Sequence, residues 1–220
     1  DDVFVMTSAN LSDEPIVYQD EEAKSHLSTI ADYILSHNRI IQTRVDDSVV
    51  RVFNDKQMLI RRSRGYAPSP VLLKGDLISD IPVLACGPEL KNTFCMTKGQ
   101  KAFLSQHIGD LENMAVNNAY KNSIDLFKRL FTIKPKLIAC DMHPEYFSTK
   151  FAKSYAQDND LPLIQVQHHH AHIASVMAEH DLKGDVIGVS LDGTGFGDDG
   201  CIWGGEFFIA NLSRYERRGH

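Results

Sequence analysis

The sequence predicts an α/β chain of two units, and three observations carry that expectation. From residue 137 onward, apolar runs alternate with segments of helical period, the pattern of parallel strands joined by crossover helices. Ahead of them, "PVLACG", "TFCMTKG" and "KAFLSQHI" are short apolar runs separated by turn residues, which reads as an antiparallel meander. Earlier still, "GYAPSPVLLKGDLISDIP" gathers Gly, Pro and Ser and loses periodicity, so a boundary is expected near residues 68–80. The units are then residues 1–75 and 80–220.

In order, "EEAKSHLSTIADYILSH" repeats apolar residues at Ala23, Leu27, Ile30, Ala31, Ile34 and Leu35 and predicts a helix, with carboxylates at its start to suit the helix dipole. "SVVRVF" and "QMLIRR" predict a hairpin turning at Asn54-Asp55-Lys56. After the meander, "NMAVNNAYKNSIDLFKRLF" predicts a long helix. Then come strand "KLIAC", a helix near 146–157, strand "LPLIQV", a helix near 170–182, strand "DVIGVSL" and strand "CIWGGEFFIA". A three-strand meander followed by strand–helix units is the order of the ribonuclease-H-like half of actin-type ATPases.

Composition narrows the class. At 220 residues, 43% hydrophobic and 24% charged, the chain can bury a core without covalent staples. Cys86, Cys95, Cys140 and Cys201 form no C-x-x-C pair and mostly lie in apolar runs, so reduced thiols are expected. No apolar stretch reaches the roughly 18 residues of a membrane span, and "DDVFVMTSAN" has no signal-peptide pattern. A cytoplasmic protein is expected. The net charge of −6 argues against broad nucleic-acid binding. Both ends read as cut, inside or just after strand-like runs, so a fragment of a longer protein is expected.

"VQHHHAHIAS" places His168, His169, His170 and His172 where a strand gives way to a helix, the edge at which open α/β sheets bind ligands. His168 and His172 are four apart and share a helix face if the helix reaches back to 168. His169 and His170 then point about 100° and 200° away. Asp192 is read as ending the next strand, which, if parallel and adjacent, brings its carboxylate to the same edge. Two imidazoles and one carboxylate suit Zn or Fe(II) acting as a Lewis acid. A solvated run of histidines at a helix cap is the competing reading, and the H-E-x-x-H pattern is absent.

Four further stretches suit phosphate. In "SLDGTGFGDDG", Gly193 and Gly195 would let backbone N–H groups approach phosphate oxygens, although Asp198-Asp199-Gly200 equally suits a hairpin turn. "CGPELKNTF" offers Lys91 and Thr93, with a plain surface turn as the alternative. In "TSANLSDEP" and "RRSRGYAP", Ser8, Asn10 and Arg61 suit a triphosphate or acyl phosphate, against a solvated basic surface.

Taken together, "TSANLSDEPI", "RVDDSVVR", "LIRRSRGYAP", "CGPELKNTFC", "DMHPEYFST", "VQHHHAHIAS" and "LDGTGFGDDGCIWGGEF" resemble the HypF family, the carbamoyltransferases of NiFe-hydrogenase maturation. The strings run through nearly the whole chain in the family's order. The resemblance implies the C-terminal part of a YrdC-like α/β domain followed by the first half of a TsaD-like, actin-type domain. It implies that carbamoyl-adenylate is made from ATP and carbamoyl phosphate, and that the carbamoyl group then passes to the C-terminal cysteine of HypE. Ser8, Asn10, Ser48 and Arg61 fall on nucleotide and acyl-phosphate positions; His168, His172 and Asp192 fall on metal-ligand positions and are the expected catalytic residues. Zn or Fe is the expected ion there, with Mg a further cofactor. The family's acylphosphatase domain, zinc-finger modules, the lysine-rich front of the YrdC-like fold and a later aspartate ligand lie outside this chain, so the complete reaction is not expected of it alone. An O-carbamoyltransferase or threonylcarbamoyl-transferase of the same fold is the alternative enzyme, and a non-catalytic nucleotide-binding module the alternative of another class.

Overall fold

The computed structural model describes residues 3–11 and 14–220; Ser12 and Asp13 of "TSANLSDEP" lie outside the described residues. The first unit has little regular structure. Helix α1 spans Asp20–His26, and strands β1 (Val49–Phe53) and β2 (Lys56–Arg61) pair as an antiparallel hairpin. Asn54 and Asp55 turn it, both with positive φ, as a two-residue turn matched to strand twist requires. The long helix expected through Leu35 stops at His26. Beyond Leu27, which is buried, its apolar stripe finds no cover among the described residues: Ile30 is 62% and Leu35 100% exposed. An unpacked helix of that length is marginal in water. The same lack of a partner leaves every residue of β1 and β2 exposed.

The second unit supplies the core. Strands β3 (Val71–Leu72), β4 (Val83–Ala85), β5 (Cys95–Lys98), β6 (Lys101–Leu104), β7 (Leu137–Asp141) and β8 (Leu163–Val166) form one sheet in the order β3-β6-β5-β4-β7-β8. The expected meander is β4-β5-β6, antiparallel; β7 and β8 add parallel to β4. β3, within the segment assigned to the first unit, pairs with β6 of this sheet. Helix α2 (Met114–Leu130) is capped by Asn113, whose side chain accepts from the Ala115 N–H. It buries Val116, Tyr120, Ile124 and Phe127, one face at helical spacing, in a core with Leu84, Phe94, Met96 and Ile138. Helix α3 (Phe147–Asp158) links β7 to β8, and α4 (His168–His180) follows β8.

One expectation fails at the next strand. β9 (Val186–Phe196) does not join β8 in parallel. It pairs antiparallel with β10 (Ile202–Ala210), which pairs with β11 (Tyr215–Gly219), giving a separate three-stranded sheet. The turn at 197–200 closes this hairpin locally, and closing a short loop sacrifices less chain entropy than pairing across a helical crossover. Asp192 therefore sits within β9 and does not end a strand. Inside this sheet Glu206 is fully buried and accepts two hydrogen bonds from Arg217, at 2.6 and 2.9 Å, while the guanidinium lies over the Trp203 ring.

All four cysteines are free thiols. Burial pushes the thiols of Cys86 and Cys95 up to about 12 and that of Cys140 up to about 11. Iodoacetamide at pH 8 should therefore label exposed Cys201 in the native chain and reach the other three only after unfolding; rapid native labelling of Cys86 would contradict the packing. The Tyr120 hydroxyl, fully buried, donates to the Cys86 carbonyl at 2.9 Å. Tyr120→Phe should lower stability by about 1 kcal/mol in urea titration.

Candidate functional site

The site forms where two sheets meet at the start of α4. β8 ends at Val166, Gln167 caps the helix, and the helix begins at His168. That start is the condition on which His168 and His172 share a face, and their rings stand 4.9 Å apart. β9 crosses the adjacent face of α4 closely because glycines line the crossing. A Cβ on Gly188 would meet Ile173 at 2.3 Å, and one on Gly195 would meet the His169 ring at 2.4 Å. This crossing carries Asp192 to the histidines.

Three atoms converge. The Nε2 atoms of His168 and His172 are 3.2 Å apart, and Asp192 Oδ2 lies 3.0 Å from the first and 3.6 Å from the second. Donors bound tetrahedrally at about 2.0–2.1 Å stand about 3.3–3.4 Å apart, so the observed triangle suits one small cation. Asp192 Oδ2 is buried and accepts no hydrogen bond, an unmet demand that a cation would meet. Two nitrogens and one oxygen suit Zn or Fe(II); Mg, which prefers all-oxygen octahedra, does not match this donor set.

The remaining two histidines of the run do other work. His170 Nε2 meets the Asn211 carbonyl at 2.7 Å, and His169 is fully buried against Gly195 and Trp203.

Sequence reasoning missed Asp141. It ends β7, pairs in register with Val166, and so stands beside the first residue of α4. Its Oδ2 accepts from His168 Nδ1 at 2.7 Å, while its Oδ1 accepts from the His143 N–H. A proton held on Nδ1 leaves a lone pair on His168 Nε2, the atom that faces Asp192 and His172. The signal was available: an acidic residue directly after "KLIAC", at the C-terminal edge of a parallel strand. The hydrogen bond to Asp141 raises the His168 pKa above its ordinary value, with Asp192 adding to it against burial. Burial lowers that of His172, helped by the neighbouring His168.

A cavity of about 400 Å³ opens beside these residues, lined among others by Gly87, Pro88, Thr93, Asp141, His168 and His172. Thr93, from the loop between β4 and β5, thus reaches the site. Lys91, its neighbour in "CGPELKNTF", does not line this cavity; it takes a left-handed turn position, and its N–H is bonded to Asp110. Gly193 and Gly195 lie within strand β9, not in a phosphate loop. Gly193 donates its N–H to Asp192 Oδ1 at 2.7 Å, and the His169 ring fills the space beside Gly195. The hairpin alternative for this stretch is the one that the structure adopts.

Ser8, Asn10 and Arg61 meet at a second cavity, about 700 Å³, with Arg44, Asp110 and Asn113. Ser48 is not on its wall. The Ser48 hydroxyl accepts from the Ser63 N–H and donates to the Arg64 carbonyl, both at 2.8 Å, tying the strand of the hairpin to the segment after it. The two cavities share no lining residue.

A ligating imidazole must be unprotonated, and the raised pKa makes His168 the position where protons compete longest. Metal affinity should therefore fall as pH drops through that raised value. Asp141→Asn should weaken affinity at pH 8 by about 10- to 100-fold and shift the pH dependence to lower pH, read by titration against a chromophoric chelator. An unchanged pH profile would contradict the role assigned to Asp141.

Residues 79–179 match the model described as HypF Kae1-like domain, and residues 188–220 match Carbamoyltransferase, Kae1-like Domain, second subdomain. Residues 1–63 match the Sua5/YciO/YrdC model, described as Telomere recombination. The chain is 46% identical to carbamoyltransferase HypF2 of Cupriavidus necator, over 99% of this chain and 27% of that protein. It is 44% identical to carbamoyltransferase HypF of Rhizobium leguminosarum bv. viciae, over 98% and 28%. A crystal structure of full-length HypF in the phosphate- and nucleotide-bound form superposes with a TM-score of 0.90 at 51% identity, covering 96% of this chain and 32% of that one. The chain thus spans a little over a quarter of the length of the curated relatives it matches.

Proposed function

The chain belongs to the HypF carbamoyltransferase family, and on that premise we propose that it is the part of a carbamoyltransferase that joins adenylate formation to carbamoyl transfer. Residues 1–75 contribute to a YrdC-like unit that makes carbamoyl-adenylate from ATP, as its Mg complex, and carbamoyl phosphate. Residues 80–220 contribute to a TsaD-like unit that passes the carbamoyl group to the C-terminal cysteine thiol of HypE, in the cytoplasm. The observation that carries the reading is the convergence of His168 Nε2, His172 Nε2 and Asp192 Oδ2 beside a cavity that the two histidines line.

In the first stage Ser8, Asn10 and Arg61 face one cavity, where the Ser8 hydroxyl and the Arg61 guanidinium suit the phosphate oxygens of both substrates, while the Asn10 amide donates to the Leu11 and Glu14 carbonyls and shapes the wall. Arg44 adds a second cation on the same wall. In the second stage the acceptor sulfur attacks the carbamoyl carbon, a C–S bond forms, and the bond to the adenylate phosphate oxygen breaks. A Zn or Fe(II) ion held by His168, His172 and Asp192 would act as a Lewis acid toward the oxygen on which charge develops. The protein's own groups prepare for this. Asp141 orients His168, the Gly193 N–H fixes one oxygen of Asp192, and Thr93, on the β4–β5 loop, lines the same cavity as His168 and His172. Lying in a cavity walled by Ala85, Pro88 and Val166, the adenylate would be partly screened from water, its competing acceptor.

In the full-length protein, His172→Ala should abolish metal binding at the His168–His172–Asp192 site and transfer to HypE while leaving ATP-dependent adenylate formation intact, followed with radiolabelled carbamoyl phosphate. Full transfer activity in this variant would overturn the ligand assignment. Transfer to tRNA or to a sugar hydroxyl, with none to the HypE thiol, would assign the chain to the alternative transferases of the same fold.

A further inference from the structure

We propose that His169 is a positioning residue for Asp192, its Nε2–H holding the carboxylate oxygen that faces the metal position. The inference rests on the reading of His168, His172 and Asp192 as ligands, and it gives a task to a histidine that this reading leaves over.

The tautomer of His169 follows from its neighbour. Gln167 Oε1 accepts from the His170 N–H at 2.9 Å, and Gln167 Nε2 donates to the Phe196 carbonyl at 3.2 Å. Reversing the amide would set donor against donor at His170 and acceptor against acceptor at Phe196, so its orientation is determined by backbone groups. The amide nitrogen therefore also faces His169 Nδ1, at 3.1 Å, as a donor. Nδ1 accepts, and the proton of the neutral ring is on Nε2.

That Nε2 is buried and has no hydrogen-bond partner. The atom it approaches, Asp192 Oδ2 at 3.7 Å, is buried and without a donor as well. The two unmet demands are complementary, and an approach of about half an ångström would join them in a hydrogen bond. Asp192 Oδ1 is already held by the Gly193 N–H at 2.7 Å. An oxygen of an ionised carboxylate accepts at two lone pairs, so Oδ2 can face the cation with one and His169 with the other. The His169 ring cannot give way: it is fully buried, with Gly195 on one side and the Trp203 ring on the other. Clamped at both oxygens, Asp192 keeps the rotamer that completes the triangle; the side chain is 28% exposed and without the second clamp is free to turn toward solvent.

The test compares Co²⁺ affinity in full-length wild type, His169→Met, His169→Gln and His172→Ala. Methionine removes the donor at similar volume; the glutamine amide restores an N–H near the position of Nε2. Affinity should fall about 10- to 100-fold in His169→Met and return to within a few-fold of wild type in His169→Gln. Equal affinity of wild type and His169→Met, with binding lost in His172→Ala, overturns the clamp alone, as does a His169→Gln as weak as His169→Met. A wild type that takes up no more Co²⁺ than His172→Ala overturns the ligand reading and the clamp with it. Should the methionine variant not fold, ¹⁵N-histidine spectra of the wild type decide without substitution: the Nε2–H tautomer supports the clamp, and the Nδ1–H tautomer overturns it.

Discussion

The arrangement turns on one oxygen. Asp192 Oδ2 is buried, lies 3.0 and 3.6 Å from two imidazole nitrogens, and accepts no hydrogen bond. A buried carboxylate oxygen must be matched by positive charge or by a donor. A divalent cation bound by all three atoms meets that demand. The local fold exists to keep this oxygen where it is.

Each neighbouring feature can be read as serving that requirement. α4 must begin at His168 for His168 and His172 to face one way, and the Gln167 cap sets that start. β9 must pass within contact of α4, which Gly188 and Gly195 permit because side chains there would overlap Ile173 and His169. The parallel register of β7 with β8 puts Asp141 beside His168 and determines which nitrogen carries the proton. The Glu206–Arg217 pair and Trp203 brace the three-stranded sheet behind His169. Two sheets thus contribute one ligand set, with the helix between them common to both.

Much of this was legible in the chain itself. The meander, the two strand–helix units and the helical register of His168 with His172 followed from apolar periodicity, because these elements pack against one another within residues 79–180. The position of Asp192 was reached by a wrong route. It was expected at the end of a strand parallel to β8, whereas it lies within an antiparallel hairpin strand, since alternation of strand and helix does not reveal where a sheet stops and another begins. The glycines of "LDGTGFG" invited a phosphate reading, but the absent side chains of Gly195 and Gly197 admit the His169 ring of α4 and the Trp203 ring; only the packing shows this. The helix expected through Leu35 failed for the converse reason. Its periodicity is real, and the surface that would bury it is not among the described residues. Asp141 was overlooked because a single acidic residue after a strand has no spacing partner in sequence; its partner, His168, is 27 residues away, two residues past the Val166 that pairs with Asp141 in register.

The central claim is that His168, His172 and Asp192 hold one metal ion. Anomalous diffraction from crystals of the full-length protein, collected above and below the Zn and Fe absorption edges, tests it directly. The account requires a single peak at about 2.0–2.2 Å from His168 Nε2, His172 Nε2 and Asp192 Oδ2. A metal-replete crystal with no peak at that point, or with the three side chains turned apart, would contradict it.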